Sequence, residues 1–392
     1  MMRARANKNW LYVMGLLSPF LLFPFSPLAT FLLCTLVLLF YSPFLFSYIR
    51  IVLSFLGIIS LIYIFGSREY IDELGADLTA YYNAFLIIKE RHLNEVLFSF
   101  PIFGGGAEFG IVVLYKLYTF FSSNITAIEL SIYNTIICSI GLLIWYECFG
   151  IKRIPEEHRG ICMAFILIFI SVTTFGYLQR QAIATVFILF VLEMKKRKYV
   201  VLFTVIACIF HLTSLFVILI WRFLLEKKLT VKFILICLIS MLFVRMSFSA
   251  LILLLSPLGI NKIMYYVEVL NSFHIISYRF LILLFLLLLM NIIFFKEHSS
   301  QWKTPVVVLC MFHVIFTGVP MLSERINFIF LYLYGYFLFV TLYKRMSKTL
   351  FVLLMVYAFY FTLEKTNIIK LPIDAYWSRY PVFSFEPFYY IQ

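Results

Sequence analysis

Two short polar motifs interrupt the apolar middle of this 392-residue chain, and both carry side chains that a lipid bilayer excludes. Arg180 lies in the first motif with a glutamine on each side, and the second motif contains His211 and, three residues later, Ser214. A charged or ionisable side chain at membrane depth is costly unless it faces protein or a water-filled cavity. Each motif is therefore predicted to belong to a functional site.

Arg180 and His211 are suited to different chemistry. A guanidinium binds phosphate through paired hydrogen bonds and keeps its charge, so Arg180, with the adjacent Gln181, is predicted to bind a phosphate-bearing substrate. Imidazole titrates near neutral pH, so His211 is predicted to act as a general base or to donate to phosphate, with Ser214 on the same helical face. The alternatives are an arginine that reaches lipid headgroups and a core histidine that is hydrogen-bonded to the backbone or to a tyrosine.

Two further arginines lie on the same predicted side of the membrane. A diphosphate carries enough charge to need more than one cation, and Arg279 and Arg325 are the available candidates. Arg325 follows Glu324, so its alternative is a local ion pair, although adjacent residues on a helix do not face each other. The alternative for Arg279 is an anchor at the membrane surface.

Two carboxylates complete the set of candidate site residues. Asp77 lies in a polar stretch four residues before Tyr81, and Glu108 follows a run of three glycines. A carboxylate beside a sugar can accept a proton from a hydroxyl or hydrogen-bond the sugar, and the alternative is a solvated or helix-capping residue. The chain has no phosphate-binding loop, no serine-hydrolase or zinc-protease motif, no Asp-x-Asp pair and no Cys/His set at metal-ligand spacing. We therefore expect no metal and no other cofactor.

The composition predicts the elements that must position these residues. The chain is 64% hydrophobic and 13% charged, with a mean hydropathy of +1.00, whereas a soluble domain is about half apolar. Its apolar runs are continuous rather than alternating, which favours helices over a barrel. We predict an all-α polytopic membrane protein, a single integral membrane domain over residues 1–392, with roughly 11–13 transmembrane or half-spanning helices.

The distribution of basic residues predicts the orientation of the chain. The net charge is +13, but the basic residues cluster between apolar runs, as at 195–198 and 227–228, which is typical of cytoplasmic loops and argues against nucleic-acid binding. The N-terminus is interpreted as a cytoplasmic signal anchor. The predicted spans are residues 10–25, 28–46, 51–66, 125–149, 160–178, 180–194, 199–211, 213–225, 231–250, 279–295, 305–320, 327–343 and 349–363.

This topology brings the polar motifs to one side. The four spans between residues 160 and 225 are predicted to form two hairpins whose tips, at Arg180 and His211, enter the membrane from outside. Residues 106–121 are predicted to be interfacial or re-entrant. Residues 67–109, 256–278 and 364–392 are predicted periplasmic segments, and the last is rich in aromatic residues, which favour membrane interfaces and also stack on sugars.

Taken in order, these motifs resemble those of the EpsG-type branch of the Wzy polysaccharide polymerases, the bacterial enzymes that polymerise O-antigen or capsule repeat units. The similarity covers about residues 70 to 392, and the chain departs from the family in an extra hydrophobic stretch at about 10–46. It rests on Asp77-x3-Tyr81, Arg180-Gln181-x-Ile183-Ala184, Ile206-Ala207-x-x-Phe210-His211-x-x-Ser214 and Glu324-Arg325-x-Asn327.

The resemblance implies a metal-independent glycosyltransferase with a GT-C-like polymerase or ligase architecture, located in the bacterial inner membrane with its active site facing the periplasm. The growing glycan would pass from undecaprenyl diphosphate to the non-reducing end of an incoming lipid-linked repeat unit. In this scheme Arg180 and Arg325 bind the donor diphosphate, Arg279 assists, and His211 or Asp77 deprotonates the acceptor hydroxyl. Substrate contacts are expected from Gln181, Glu324, Glu108, Tyr81 and Ser214. The expected partners are the lipid-linked donor and acceptor, membrane lipids and a chain-length regulator protein.

Two other functions would also need cations for a lipid diphosphate. A lipid-linked oligosaccharide flippase should have its cations in a cavity reachable from both faces, with two related halves. An O-antigen ligase would share the donor chemistry and differ in its acceptor, which the sequence does not reveal.

Overall fold

The computed structural model is all-helical throughout the residues that it describes, with no β-strand among them. The described residues are 13–68, 76–92, 95, 108–122, 124–255, 278–293, 301–317, 322–343, 356–357, 360 and 377–391. The chain forms two compact units, Met1–Leu215 with Ser347–Gln392 and Phe216–Met346. The all-helical prediction is confirmed, while a single domain, the GT-C-like architecture and the periplasmic segments stay predictions.

Ten α-helices of the first unit have bounds that the structure describes. They are α1 (Val13–Leu22), α2 (Pro27–Phe40), α3 (Ser47–Gly66), α4 (Ala76–Glu90), α5 (Gly110–Phe121), α6 (Ala127–Trp145), α7 (Arg159–Phe169), α8 (Val172–Tyr177), α9 (Gln179–Glu193) and α10 (Arg197–Phe210). The helices that follow are α11 (Ser214–Glu226), α12 (Val231–Leu255), α13 (Tyr278–Ile293), α14 (Lys303–Ile315) and α15 (Leu322–Leu342).

Three stretches of helix are long and apolar enough to cross a membrane within the described residues: Ser47–Gly66, Ala127–Arg153 and Ser323–Leu342. Several other apolar helices are shorter, among them Pro27–Phe40 and Gly110–Phe121. The helices therefore fit a membrane protein that mixes full spans with shorter segments. The predicted span at 349–363 and the predicted segment 256–278 lie almost entirely outside the described residues.

Local chemistry explains where several helices begin and end. Ser26 caps α2 by accepting a hydrogen bond from the Ala29 N–H at 3.2 Å, and Pro27 occupies the first helical position. Thr126 and Glu129 form a capping box at the start of α6. The predicted span over 160–178 is not one continuous helix, because an extended residue, Ile170, separates α7 from α8. The hydroxyl and β-branched residues that follow it form local hydrogen bonds that compete with the helix.

Within the first unit, α3 packs against α2 and α6, and α9 packs against α10 and α6. A buried ion pair joins the first turn of α3 to the turn that follows α6: both guanidinium Nη atoms of Arg50 contact both carboxylate oxygens of Glu147, at 2.5 and 2.7 Å. Each charge needs its partner here, because an unpaired charge among apolar helices would strongly destabilise the fold.

The aromatic C-terminal segment docks onto the α1–α2 connection and the end of α3. The backbone N–H of Phe388 donates to the Pro24 carbonyl at 2.8 Å, and Ser26 Oγ donates to the Val382 carbonyl at 2.7 Å. Tyr380 and Tyr390 are buried, and their hydroxyls donate to backbone carbonyls of the same unit. These two tyrosines therefore hold the tail in place.

The second unit has an aromatic core. Trp221, Trp302, Phe330 and Phe337 pack together, and the indole N–H of Trp221 donates to the Ile326 carbonyl at 3.2 Å. This contact ties the middle of α11 to the first turn of α15.

Candidate functional site

One carboxylate, that of Glu108, lies at the centre of the polar residues in the first unit. Its Oε2 forms an ion pair with Nη1 of Arg180, and its Oε1 accepts a hydrogen bond from the Leu212 backbone N–H at 2.7 Å. Nδ1 of His211 lies 3.3 Å from the same Oε1. The carboxylate therefore joins the start of α9 to the break between α10 and α11, which are the two predicted hairpin tips.

The chain breaks at His211 in a way that exposes a backbone donor to Glu108. His211 is extended, with φ −155° and ψ 109°, so α10 ends at Phe210 and α11 begins at Ser214. The Leu212 N–H lies in the break between the two helices and donates its hydrogen bond to the Glu108 carboxylate. The Ser214 N–H donates to the His211 carbonyl at 2.9 Å and closes the turn.

A glycine allows the segment that carries Glu108 to reach this break. A Cβ atom at Gly110 would lie 3.0 Å from Cγ of Phe210 and 3.1 Å from the Ile209 carbonyl oxygen. The second of these atoms belongs to the backbone and has little freedom to move aside. A methyl group at this position would require the end of α10 to shift, so glycine favours the close approach of α5 to α10.

Tyr81 forms the other side of the Arg180 environment. Nε of Arg180 donates to the Tyr81 hydroxyl at 3.2 Å, and the guanidinium carbon lies 5.8 Å from the centre of the Tyr81 ring. This distance fits a cation–π contact. Asp77 lies one helical turn before Tyr81 on α4, and its side chain lies outside the described residues. The structure therefore brings Tyr81 to Arg180, while the role of Asp77 stays a prediction.

His211 and Ser214 present buried polar atoms without a hydrogen-bond partner among the described residues. These atoms are Nε2 of His211 and Oγ of Ser214, and the two residues are only 8% and 1% exposed. The contact of His211 Nδ1 with Glu108 is at ion-pair distance, but its alignment falls short of a hydrogen bond. Buried polar atoms without a partner are rare and call for an explanation such as a ligand or a catalytic role.

The surroundings of Glu108 favour its ionised form. Burial alone would raise the pKa of this carboxyl, but the His211 ring, the Leu212 N–H and the positive charge of Arg180 together hold the pKa below its ordinary value. Glu108 is therefore a carboxylate at neutral pH. It can stabilise a positive charge on His211 as well as the permanent charge on Arg180.

A buried network of hydrogen bonds is centred on Gln179, the residue before Arg180. Oε1 of Gln179 accepts hydrogen bonds from the Tyr115 hydroxyl and from Nδ2 of Asn134, the latter at 2.7 Å, and its Nε2 donates to the Gly176 carbonyl at 2.9 Å. Gln179, Tyr115 and Asn134 are all fully buried. Tyr115 and Asn134 were not predicted from the sequence, although a polar side chain inside an apolar helix itself indicates a site of this kind.

The remaining predicted residues divide between the two units. Gln181 follows Arg180 in the first turn of α9 and is half-buried. Glu324 and Arg325 lie in the first turn of α15, and Arg279 lies in the first turn of α13 with its side chain outside the described residues. These three residues belong to the second unit, so their proximity to Arg180 stays a prediction.

Comparison with known proteins identifies the family. The model of the EpsG family matches residues 51–380, more than four-fifths of the chain. The chain belongs to the EpsG family. This is the family of Wzy-type polysaccharide polymerases, and the predicted resemblance is confirmed. The match includes the whole Glu108 cluster and leaves out α1 and α2. No curated protein and no solved structure matches the chain.

Proposed function

We propose that this EpsG-family protein polymerises undecaprenyl-diphosphate-linked oligosaccharide repeat units on the periplasmic side of the bacterial inner membrane. The growing glycan is transferred from its lipid diphosphate to the non-reducing end of an incoming lipid-linked unit. Family membership supports a polysaccharide polymerase in general. The observation that carries the more specific proposal is the Glu108 carboxylate, which holds Arg180 and His211 in one cluster.

The reaction needs a base and a group that stabilises the leaving diphosphate. An acceptor hydroxyl oxygen attacks the anomeric carbon of the donor glycan, the bond from that carbon to the diphosphate oxygen breaks, and the diphosphate leaves with the bonding electrons. The hydroxyl proton passes to Nε2 of His211, a buried nitrogen with no hydrogen-bond partner among the described residues. Glu108, close to Nδ1 of the same ring, stabilises the imidazolium that forms.

Arg180 stabilises the charge that develops on the diphosphate. A guanidinium carries five N–H donors in a planar fork, so one arginine can contact a carboxylate and a phosphate at once. Donors that are already in place when charge develops give large rate effects. Arg325, with Arg279 assisting, is the proposed source of further positive charge, and Asp77 is the alternative base.

Deletion of the gene tests this function in the host. The surface glycan is separated on a gel, and a polymerase defect leaves a single repeat unit in place of a ladder of lengths. A plasmid copy of the wild-type gene restores the ladder. Loss of all surface glycan, with lipid-linked units retained on the inner leaflet, would show a flippase instead. A normal ladder that no longer reaches lipid A would show a ligase.

Reconstitution tests the donor directly. The purified protein in liposomes should extend lipid-linked repeat units extracted from the deletion strain, and it should yield no polymer from nucleotide sugars. Polymer formed from nucleotide sugars would overturn the proposed donor.

A further inference from the structure

The first turn of α9 lacks the usual local anchor. The residue before the helix is Leu178, whose side chain cannot cap the N-terminal N–H groups. Arg180 is therefore two residues away from an uncapped helix end, where the chain would fray if nothing else held it. Because a catalytic guanidinium must be held in place, some other contact has to fix this turn.

Gln179 provides that contact, because its side chain forms hydrogen bonds with residues of other helices. We propose that Gln179 and Tyr115 are positioning residues that set the guanidinium of Arg180 by anchoring the first turn of α9 to α5. The inference rests on the proposed function, because it concerns the residue to which the diphosphate chemistry is assigned. Both residues are fully buried, and they act through Arg180.

Both the oxygen and the nitrogen of the Gln179 side-chain amide form hydrogen bonds. Its oxygen accepts from Tyr115 on α5 and from Asn134 on α6, and its NH₂ group donates to the Gly176 carbonyl at the end of α8. A buried amide that is hydrogen-bonded at both its oxygen and its nitrogen is held in one orientation. The network therefore fixes the position of this turn against three other helices.

The same segment holds Arg180 as well. Glu108, just before α5, and Tyr115, two helical turns later, contact Arg180 and Gln179 respectively. Side chains of consecutive helical residues point about 100° apart around the axis. Contacts to both Gln179 and Arg180 therefore resist rotation of the first turn of α9 about its own axis, which a single contact would allow.

The test compares Tyr115→Phe with Tyr118→Phe in the purified protein. Each variant removes one buried hydroxyl from α5, but Tyr115 bonds Gln179 directly, whereas the Tyr118 hydroxyl donates to Oδ1 of Asn134 at 3.3 Å and is linked to Gln179 only through Asn134. A displacement of about 1 Å at a reacting group can cost roughly a hundredfold in rate. We expect Tyr115→Phe to lower kcat for linkage formation on the order of tenfold and Tyr118→Phe to lower it less than about twofold.

A double variant separates positioning from a general loss of structure. Tyr115→Phe should have almost no further effect in an Arg180→Lys background, because the group that it positions has gone. Radiolabelled lipid-linked units give the sensitivity that this background needs. Gln179→Asn keeps the amide but shortens its reach, and it should reproduce the Tyr115→Phe defect and its dependence on Arg180.

Thermal unfolding in detergent checks that each variant is folded. Equal losses of kcat in Tyr115→Phe and Tyr118→Phe would overturn the positioning role. So would a Tyr115→Phe loss of kcat that is as large in the Arg180→Lys background as in the wild type. Neither result would affect the proposed function as long as the wild-type protein forms polymer. Failure of the wild-type protein to extend lipid-linked units would overturn the proposed function, and the inference with it.

Discussion

The first unit contains two buried Arg–Glu ion pairs that differ in how the carboxylate is used. In the Arg50–Glu147 pair, both oxygens of one carboxylate face both Nη atoms of one arginine, and the two side chains are 6% and 15% exposed. In the Arg180–Glu108 pair, one oxygen contacts the arginine and the other serves the Leu212 N–H and the His211 ring. We call the Arg50–Glu147 pair the closed pair, because each of its carboxylate oxygens faces an Nη atom of the same arginine. The Glu108 carboxylate instead connects its own segment to the start of α9 and to the break between α10 and α11.

This difference separates a structural pair from a functional one. Arg50 and Glu147 form two parallel N–H···O contacts, and this bidentate geometry is typical of a stabilising link, here between α3 and the end of α6. The Glu108 cluster combines a guanidinium with a buried imidazole nitrogen that has no hydrogen-bond partner in the described part of the chain. Residue type alone does not distinguish these roles, whereas the distribution of partners does.

The largest expected effect is on stability, at the closed pair. Arg50→Met leaves Glu147 as a buried charge without its partner, which should lower the free energy of unfolding by about 3–5 kcal/mol. The double variant Arg50→Met/Glu147→Leu should recover most of this loss. Denaturation in detergent gives the stabilities, and the specific activity of the folded fraction should match wild type. A folded Arg50→Met protein with little activity would contradict the structural role.

At the Glu108 cluster the largest expected effect is on rate. Arg180→Lys keeps the charge but loses the planar fork, and the rate of polymer formation should fall about a hundredfold, comparable to the loss of one donor to a developing negative charge. The matched control is Arg153→Lys, because Arg153 pairs with Glu193 at the other end of α9 and is 37% exposed. Near-normal polymer length in Arg180→Lys would remove this arginine from the mechanism.

The carboxylate itself gives an intermediate effect and a pH dependence. Glu108→Gln keeps an oxygen for the Leu212 N–H but loses the charge that Arg180 and His211 face, so the rate should fall on the order of tenfold. Because the pKa of Glu108 is lowered, the stability gained from its charge is fully present above its ordinary value of 4.5 and is lost as the pH falls through the lowered pKa.

The corresponding measurement compares wild type and Glu108→Gln as the pH is lowered. The difference in their free energies of unfolding should shrink as the pH falls below 4.5. A difference that instead grew below that pH would show that the carboxyl is not held in its charged form.

The smallest expected effect is at the glycine that brings α5 to α10. Gly110→Ala places a methyl group against the Ile209 carbonyl and should cost about 1 kcal/mol of stability, with a few-fold loss of rate as Glu108 shifts. Gly57→Ala is the control, because its nearest contact, 3.0 Å away, is the tip of the flexible Leu167 side chain. Equal rate losses in both variants would show that the α5–α10 contact has no special role.

The sequence predicts the helices of this region well and its long-range contacts poorly. The break at His211 and the start of α9 follow from polar residues that interrupt apolar runs, which is a local pattern. In the sequence, Arg180 is 72 positions from Glu108 and Leu212 is 104 positions from it, and no periodicity encodes these two contacts. For the same reason residues 106–121 could be interpreted only as interfacial or re-entrant, although this segment contains both Glu108 and Tyr115.

The central claim is that Arg180 contacts the diphosphate of the lipid-linked donor and His211 contacts the hydroxyl of the lipid-linked acceptor, and a bound structure tests it most directly. The protein in lipid nanodiscs would be imaged by electron microscopy with a non-transferable phosphonate analogue of the lipid-linked repeat unit. We expect phosphate oxygens of the analogue bound as donor about 3 Å from the Arg180 guanidinium, and a sugar hydroxyl of a second analogue bound as acceptor at a similar distance from Nε2 of His211. A diphosphate group bound away from Arg180, with the Glu108 cluster unchanged and empty, would contradict the account.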